Sequence, residues 1–388
     1  MPIKTPQALQ AVLDRSVSEN QAPFMVGMLA DAAGVTFSGA AGQGADGRPV
    51  DADTVFRIFS MTKAVGSMAA MILIDRGLLS MDTPVESVLP AFAGVKVLEG
   101  YDAAGKPMLR APRGAATVRH LATHTSGLEY EFWNAQQAEY LQRTGGGGVL
   151  AATNLQATLL SDYPMHTDPG TRWAYGVSID WLGLVVEKVS GQGIMEFLKA
   201  NLFDPLGMKD TAAVARDDMK NRMPPVSFRG PDGKFGAFPV EPPATSDSFG
   251  MGHALYSTPR DYVRFLRLIL NKGTLDGHRV LSEADVARML ANQAPAGIHF
   301  EKLVAVSSAS FDPFPDIPKT HGFGFMRVEG DVPGMRRAGS VAWAGVCNSH
   351  YWIDPSSGMA GVFMTQSLPF GEEPYMAAYE AFERAAYA

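Results

Sequence analysis

The pattern of apolar and polar positions differs between the two ends of the chain and its middle. Short apolar or alternating runs, divided by glycine, proline and aspartate, predict β-strands near both termini, at 24–31, 33–41, 322–329, 335–342, 346–353 and 358–365. Apolar residues three and four positions apart predict helices at Met1 to Ser16, from Ser60 to about Arg76, and at 178–190, 192–203, 258–271, 282–292 and 371–387. Strands at both ends with helices between them predict one antiparallel sheet that is closed by both termini.

This arrangement predicts an α/β (α+β) protein with two parts. Residues 1–80 and 250–388 are expected to form the sheet domain, and residues 81–249 an inserted, mainly helical domain. Within the insertion, the segment 220–248 is rich in proline and glycine, which is typical of a long connecting loop. The active site is expected in the cleft between the two parts.

Composition narrows the classes of function. The chain has 388 residues, of which 46% are hydrophobic and 19% charged, and its net charge of -7 argues against a nucleic-acid partner. The single cysteine, Cys347, excludes an intrachain disulfide. No basic segment followed by an apolar run opens the sequence, and no apolar stretch is long enough to span a bilayer. We therefore expect a cytoplasmic monomer or homodimer that has no membrane partner and acts on a small molecule.

The first candidate for chemistry is the tetrapeptide from Ser60 to Lys63. If Ser60 opens a helix, Lys63 lies one turn away on the same face. A serine hydroxyl is a weak nucleophile that needs a nearby base, and a desolvated lysine can be that base. The pattern is common by chance, and an N-capping serine beside an exposed lysine would produce it too.

Two further segments strengthen this candidate. Tyr175 follows the turn signal Pro169-Gly170 and precedes a helix, so its phenol could point at the serine. The small residues of 338–346 enter a predicted strand, where they allow the backbone to approach a substrate and its N–H groups to hold an oxyanion.

The motifs Ser60-Met-Thr-Lys63, His120-Leu-Ala-Thr-His-Thr-Ser-Gly-Leu128, Pro169-Gly-Thr-Arg-Trp-Ala-Tyr175 and Trp343-Ala-Gly345 together resemble the serine β-lactamase and penicillin-binding-protein superfamily. Within it the chain looks most like the family VIII carboxylesterases, which share the class C β-lactamase fold, and the resemblance spans roughly residues 5–385. The order and spacing of four motifs carry it.

The resemblance implies a role for each matched residue. Ser60 would be the acylated nucleophile, Lys63 would hold or accept its proton, and Tyr175 would shuttle protons between nucleophile, leaving group and water. Whether Lys63 or Tyr175 is the general base stays open. The backbone N–H groups of Ser60 and Val346 would form the oxyanion hole, and no cofactor or metal would be needed.

Two departures from the β-lactamase pattern favour an ester substrate. The Tyr-x-Asn motif reads Tyr175-Gly176-Val177, and Trp343 stands where β-lactamases carry the lysine of Lys-Thr-Gly. Both changes replace polar recognition by apolar surface, which disfavours a charged antibiotic. The sequence predicts a serine carboxylesterase for short-chain neutral esters, with a β-lactamase, D-aminopeptidase or acyltransferase as alternatives. The expected pocket residues are Trp343, Ala344, Gly345, Val177, Phe132 and Phe249.

Other candidate catalytic or metal sites have weaker support in the sequence. The chain has no G-x-S-x-G elbow for a Ser-His-Asp hydrolase. His120 and His124 have the spacing of helical metal ligands but no third ligand, and Cys347 reads as a buried strand residue. A non-catalytic ligand sensor on the same scaffold remains the alternative from another class, and the presence of Ser60, Lys63 and Tyr175 argues against it.

Overall fold

A seven-stranded sheet forms the centre of the computed structural model, which describes residues 6–240, 247–306 and 310–388. Its strands are β1 Phe24–Ala30, β2 Val35–Gly42, β3 Lys319–His321, β4 Met326–Val328, β5 Val341–Gly345, β6 Ser349–Asp354 and β7 Met359–Met364. The order is β3-β4-β5-β6-β7-β1-β2, and every neighbouring pair is antiparallel. Because β7 pairs with β1, the two chain ends close one sheet, which confirms the predicted fold class.

Nine of the α-helices in the described residues are labelled here, and they surround the sheet or fill the middle of the chain. They are α1 Pro6–Ser18, α2 Thr62–Asp75, α3 Val118–Ala122, α4 Ala135–Thr144, α5 Leu155–Asp162, α6 Ser178–Ser190, α7 Pro259–Leu270, α8 Glu283–Leu290 and α9 Glu373–Tyr387. Further short helical segments lie at Phe59–Met61, Val85–Val88, Pro90–Gly94, Val149–Ala151, Ile194–Leu198, Asp204–Leu206 and Asp217–Lys220. The predicted helix at 192–203 is a short α-helix, Ile194–Leu198, that continues as a π-helical turn, Lys199–Phe203.

Helices cover both faces of the sheet. On β6, His350 packs on Tyr379 of α9, with ring centroids 4.7 Å apart, and the next residue, Tyr351, packs on Tyr262 of α7 at 5.2 Å. Successive side chains of a strand point to opposite faces, so α9 and α7 lie on opposite sides. A strand covered on both faces has no solvent-facing side, which is why β1 and β6 are buried at every position. β1 is accordingly a continuous apolar run, whereas β6 also buries Ser349, His350 and Asp354.

Two of the differences between the structure and the predicted elements concern strands. The predicted strands 322–329 and 335–342 are displaced, because 322–325 forms the turn between β3 and β4 and β5 begins only at Val341. The segment 220–248 is not wholly a loop: Val226–Arg229 and Phe235–Phe238 form a hairpin that also pairs with Ser367–Leu368. This last pairing partner is remote in sequence, so no local pattern indicates it. Residues 241–246 of that segment lie outside the described residues.

One apolar core runs through the sheet and the helical middle of the chain, and α2 packs directly on α6. The division into a domain of 1–80 and 250–388 and an insertion of 81–249 stays a prediction. The candidate nucleophile lies near the end of the connection between β2 and α2, in the turn Phe59–Met61, and β5 packs against that turn.

Candidate active site

Ser60 lies in the helical turn Phe59–Met61 that leads into α2. The residue before it, Phe59, has a φ of +42°, in the left-handed region that side chains larger than glycine rarely adopt. Strained backbone of this kind persists where the surroundings hold it, and it is enriched at functional sites. The Arg57 guanidinium lies 4.5 Å from the centre of the Phe59 ring and helps to hold the turn.

Lys63 is buried, with an exposed fraction of 2%, so the alternative of an exposed lysine does not apply. Its Nζ is within hydrogen-bond distance of three oxygens: Ser60 Oγ at 3.1 Å, Tyr130 OH at 3.1 Å and the Gly252 carbonyl at 2.8 Å. An ammonium group can donate to all three. A neutral amine donates to two of them, and its lone pair is then available for the Ser60 proton.

Tyr175 approaches Ser60 from the other side. Its hydroxyl lies 2.8 Å from Ser60 Oγ, and Trp343 Nε1 donates to the same phenol oxygen at 3.1 Å. An indole N–H can only donate, so the phenol oxygen accepts from Trp343 and its own hydrogen points to Ser60. The structure thus brings Ser60, Lys63, Tyr175 and Trp343 together.

Replacing Trp343 by phenylalanine tests this bond. The variant keeps an aromatic wall but removes the only donor to the Tyr175 oxygen seen among the described residues, and we expect kcat for an ester to fall about tenfold, the worth of one hydrogen bond of about 1.4 kcal/mol. Trp181→Phe is the matched control, because that buried indole on α6 contacts Phe92 instead. An equal loss in both variants would contradict a specific role for the Trp343 N–H.

Tyr130 is a site residue that the motifs did not assign. Burial and the nearby Asp180 raise the pKa of Tyr130 well above its usual value, so it stays a neutral hydroxyl beside Lys63. The Gly252 carbonyl is placed by a second contact, since the Gly252 N–H donates to Asp180 Oδ1 at 2.9 Å. A Cβ at Gly252 would lie 2.6 Å from both Asp180 Oδ2 and Tyr130 OH, so only glycine fits there. The sequence feature that could have indicated this close approach is the pair of glycines in Gly250-Met251-Gly252.

His120 and His124, which have the spacing of helical metal ligands, make other contacts in the structure. His120 Nδ1 accepts the backbone N–H of Thr117 and so helps to cap α3. The His124 ring lies 4.8 Å from the Tyr175 ring, and burial, together with His321 and Lys63, lowers the pKa of His124 well below its usual value. The described residues contain no group of three His, Cys, Asp or Glu side chains that could hold a metal ion.

A cavity of about 290 Å³ opens above Ser60. Its wall is almost wholly apolar or aromatic and consists of Phe59, Ser60, Tyr130, Phe132, Trp133, Val149, Leu150, Tyr175, His253, Leu303, Phe311, Trp343, Ala344, Val346 and Phe370. Of the expected pocket residues, Trp343, Ala344 and Phe132 belong to it.

The other three expected pocket residues are not among the residues that line the cavity. Val177 is fully buried, and Phe249 packs on the core. Both side chains are apolar, so removing them from water stabilises the fold more than facing the cleft would. Gly345 instead lets β5 approach the turn before Ser60, where a Cβ would lie 2.3 Å from the Ile58 carbonyl oxygen.

The proposed oxyanion hole stays a prediction, and the placement of its two members favours it. Ser60 and Val346 line the same cavity, one on the turn before α2 and the other directly after β5. Their backbone N–H groups are the ones expected to hold the oxyanion. Cys347, the next residue, is buried, and burial raises the pKa of its thiol to about 12, which argues against a nucleophilic role.

None of the helices in the described ranges is both long and apolar enough to cross a membrane.

Over most of its length the chain is similar to known proteins. The chain is 30% identical to monacolin J acid methylbutanoyltransferase of Aspergillus terreus over 88% of its length and 83% of that protein. It is 29% identical to lovastatin esterase of Penicillium rubens, covering 83% of this chain and 82% of the relative. Unliganded simvastatin synthase (LovD) of Aspergillus terreus superposes with a TM-score of 0.83 at 26% identity, over 99% of this chain and 98% of that one.

The family model described as Beta-lactamase matches residues 9–386, which is nearly the whole chain. The chain therefore belongs to the β-lactamase family of serine-hydrolase-type enzymes.

Proposed function

We propose that this protein is a serine carboxylesterase that forms an acyl-enzyme on Ser60 from a short-chain neutral ester, in the manner of the family VIII carboxylesterases. The observation that carries the proposal is the hydrogen-bonded group of Ser60, Lys63 and Tyr175 at the base of an apolar cavity. A nucleophile within hydrogen-bond reach of its base is the arrangement that acyl transfer requires.

Acylation follows from the contacts at Ser60 Oγ. As Oγ attacks the ester carbonyl carbon, its proton passes to the Lys63–Tyr175 pair, both members of which lie within 3.1 Å of it. The Ser60 and Val346 N–H groups would receive the developing oxyanion. The pair then returns the proton to the alkoxide as the C–O bond to the alcohol breaks, which leaves an acyl group on Ser60.

The wall of the cavity favours a small, uncharged substrate. Among the described residues that line it there is no lysine, arginine, aspartate or glutamate, so a substrate carboxylate would be desolvated without a partner. Trp343 occupies the position at which a β-lactamase would carry a cation. The volume of about 290 Å³ is at the lower end of small-molecule pockets, which fits a short acyl chain.

Acyl transfer to an alcohol is the second candidate. One relative is named a methylbutanoyltransferase and another an esterase, so the family uses this fold with both acceptors. The chemistry differs only in whether water or an alcohol attacks acyl-Ser60. Phe132, Trp133 and Phe311 form an aromatic part of the cavity wall. An apolar alcohol would bury its apolar surface against these rings, which would favour its binding over that of water.

The test compares three substrates on the same enzyme. We expect rapid release of p-nitrophenol from p-nitrophenyl butyrate, an acyl adduct on Ser60 by mass spectrometry, and slow turnover of nitrocefin. An added primary alcohol reports the acceptor, because a butyrate ester of that alcohol forms only if transfer competes with hydrolysis. Nitrocefin turnover faster than ester turnover would overturn the esterase proposal, and transesterification that exceeds hydrolysis would replace it by the acyltransferase.

A further inference from the structure

A fully buried carboxylate lies beside the residues that hold Lys63. Asp180 is in the first turn of α6, and its Oδ1 accepts the Gly252 N–H at 2.9 Å. Its Oδ2 has no hydrogen-bond partner among the described residues, and His253 Nδ1, 3.6 Å from Oδ1, is beyond hydrogen-bond distance. A buried carboxylate with a single neutral donor is costly, so its presence calls for a reason other than stability.

Gly252 joins this carboxylate to Lys63. The Gly252 N–H donates to Asp180, and the Gly252 carbonyl accepts from Lys63 Nζ at 2.8 Å. A Cβ at Gly252 would lie 2.6 Å from Asp180 Oδ2, so the carboxylate is packed directly against this backbone, and the neighbouring Met251 is fully buried. The direction of the carbonyl therefore depends on Asp180, and the position of the Lys63 amine depends on the carbonyl.

The charge of Asp180 also acts on the catalytic group. After burial itself, Asp180 contributes most to raising the pKa of Tyr130, whose hydroxyl lies 3.1 Å from Lys63 Nζ. Water screens a charge weakly in the interior, so a buried carboxylate stabilises a proton on a neighbouring base. The described residues that line the cavity include neither Asp180 nor Gly252, so both act on Lys63 without lining the substrate cavity.

We propose that Asp180 is a positioning residue for acyl transfer: through Gly252 it directs Lys63 toward Ser60, and its charge helps the Lys63–Tyr175 pair to hold the proton taken from Ser60. The same pair takes and returns protons when Ser60 is acylated and when water or an alcohol attacks acyl-Ser60. Asp180 therefore contributes to both halves of the reaction. The proposal rests on the acyl-enzyme chemistry of the proposed function.

The first variant removes the charge. Asp180→Asn keeps an oxygen that can accept the Gly252 N–H, so the carbonyl should stay in place. Without the negative charge the Lys63–Tyr175 pair should lose its proton more readily, and the acid limb of the kcat/KM profile for p-nitrophenyl butyrate should move about one unit to lower pH. A merely structural loss would lower kcat/KM at every pH and leave the limb in place. The other titratable groups around Asp180 and Lys63 are unchanged in this variant, and they are Tyr130, Glu131, Tyr163, Tyr175 and His253.

The second variant moves the carbonyl and keeps the charge. In Gly252→Ala the new Cβ would meet Asp180 Oδ2 and Tyr130 OH at 2.6 Å, so the backbone must shift and carry the carbonyl away from Lys63. The value of kcat/KM should fall about 100-fold, the cost of a misplacement of about 1 Å, while the acid limb stays at its wild-type pH. Because Gly252→Ala keeps the carboxylate, it decides the proposal by itself if Asp180→Asn does not fold.

Asp354→Asn is the matched control. Asp354 is fully buried at the end of β6 and accepts the backbone N–H groups of Arg337 and Ser357, so the substitution makes the same chemical change in a comparable setting. Its kcat/KM per folded molecule and its acid limb should match wild type. Circular dichroism establishes the folded fraction of every variant.

A p-nitrophenyl phosphonate ester provides the second readout. It labels the nucleophile once and needs no acceptor, so the labelling rate reports the activation of Ser60 alone. Mass spectrometry should place the label on Ser60 in wild type and in each variant. The labelling rate should show the same shift of the acid limb in Asp180→Asn and the same loss in Gly252→Ala.

Each outcome decides the proposal. An acid limb of Asp180→Asn that coincides with that of wild type, or a Gly252→Ala enzyme within about twofold of wild type, would overturn the role of Asp180 while Ser60 remains the labelled nucleophile. An equal shift in Asp354→Asn would overturn it as well. A wild-type label on a residue other than Ser60 would overturn the proposed function itself, and the role of Asp180 with it.

Discussion

Ser60→Ala will abolish turnover of p-nitrophenyl butyrate, lowering kcat by a factor on the order of 10⁴ or more. The substitution removes the oxygen that forms the acyl bond and that lies 3.1 Å from Lys63 Nζ and 2.8 Å from the Tyr175 hydroxyl. The cavity and any oxyanion donors remain, so the residual rate will be that of an enzyme that only binds and polarises the ester. Initial rates at saturating substrate, corrected for spontaneous hydrolysis, measure the effect.

The control is a serine on the helix that follows Ser60. Ser67 lies in α2, is buried, and its Oγ has no hydrogen-bond partner in the described part of the chain. Ser67→Ala makes the same chemical change about two turns further along and should retain wild-type turnover. Activity in Ser60→Ala equal to that of Ser67→Ala would contradict the assignment of the nucleophile.

Lys63→Met extends this prediction to the base. Its loss should be comparable, and the double variant should be no worse than Ser60→Ala alone, because residues that act as one unit are not additive. The substitution also leaves Tyr130 OH and the Gly252 carbonyl without their shared donor, so folding must be checked by circular dichroism before rates are compared.

The residues of the catalytic group could be predicted because each sits in a local motif. Ser60 and Lys63 are three positions apart in one stretch, and Tyr175 follows a turn signal and precedes α6. The positions of β1, β2, β6 and β7 were likewise predictable from short apolar or alternating runs, whereas β3 to β5 were not placed correctly. Local pattern was therefore enough for the fold class and for the nucleophile.

The rest depends on contacts between segments that are distant in sequence. Tyr130 reaches Lys63 across 67 residues and the Gly252 carbonyl across 189, and no period or motif encodes such distances. Val177 shows the opposite error: the motif places it at the site, but its short apolar side chain is fully buried in the core. The position of a residue in a motif thus predicts the place of its backbone better than the surroundings of its side chain.

The largest effect on stability is expected at a buried ion pair that is not part of the catalytic group. Arg336 and Glu383 are 1% and 0% exposed, and the guanidinium makes two hydrogen bonds to the carboxylate, Nε to Oε1 at 2.8 Å and Nη2 to Oε2 at 2.6 Å. The Arg336 backbone N–H and the Tyr379 hydroxyl complete the network. Burial alone would lower the pKa of Arg336, but the charge of Glu383 raises it above its usual value.

Glu383→Gln should lower the free energy of unfolding by about 3–5 kcal/mol, because it leaves a buried guanidinium without its counter-charge. The midpoint of urea unfolding, with an unchanged slope, measures this loss. Glu139→Gln is the matched control, since Glu139 pairs with Arg143 on the exposed surface of α4 and the loss there should be below about 1 kcal/mol. Equal midpoints for the two variants would contradict the prediction.

A double variant separates the charge from the packing. Arg336→Met with Glu383→Leu removes both charges and keeps apolar bulk, so it should recover much of the stability lost in Glu383→Gln. The pair joins the segment before β5 to α9, and β5 carries Trp343 at the active site. Below its unfolding midpoint, Glu383→Gln should therefore keep the wild-type kcat, because the fold that places Trp343 is intact in every molecule that remains folded. A lowered kcat in the folded variant would show instead that this network also sets the position of β5 against Tyr175.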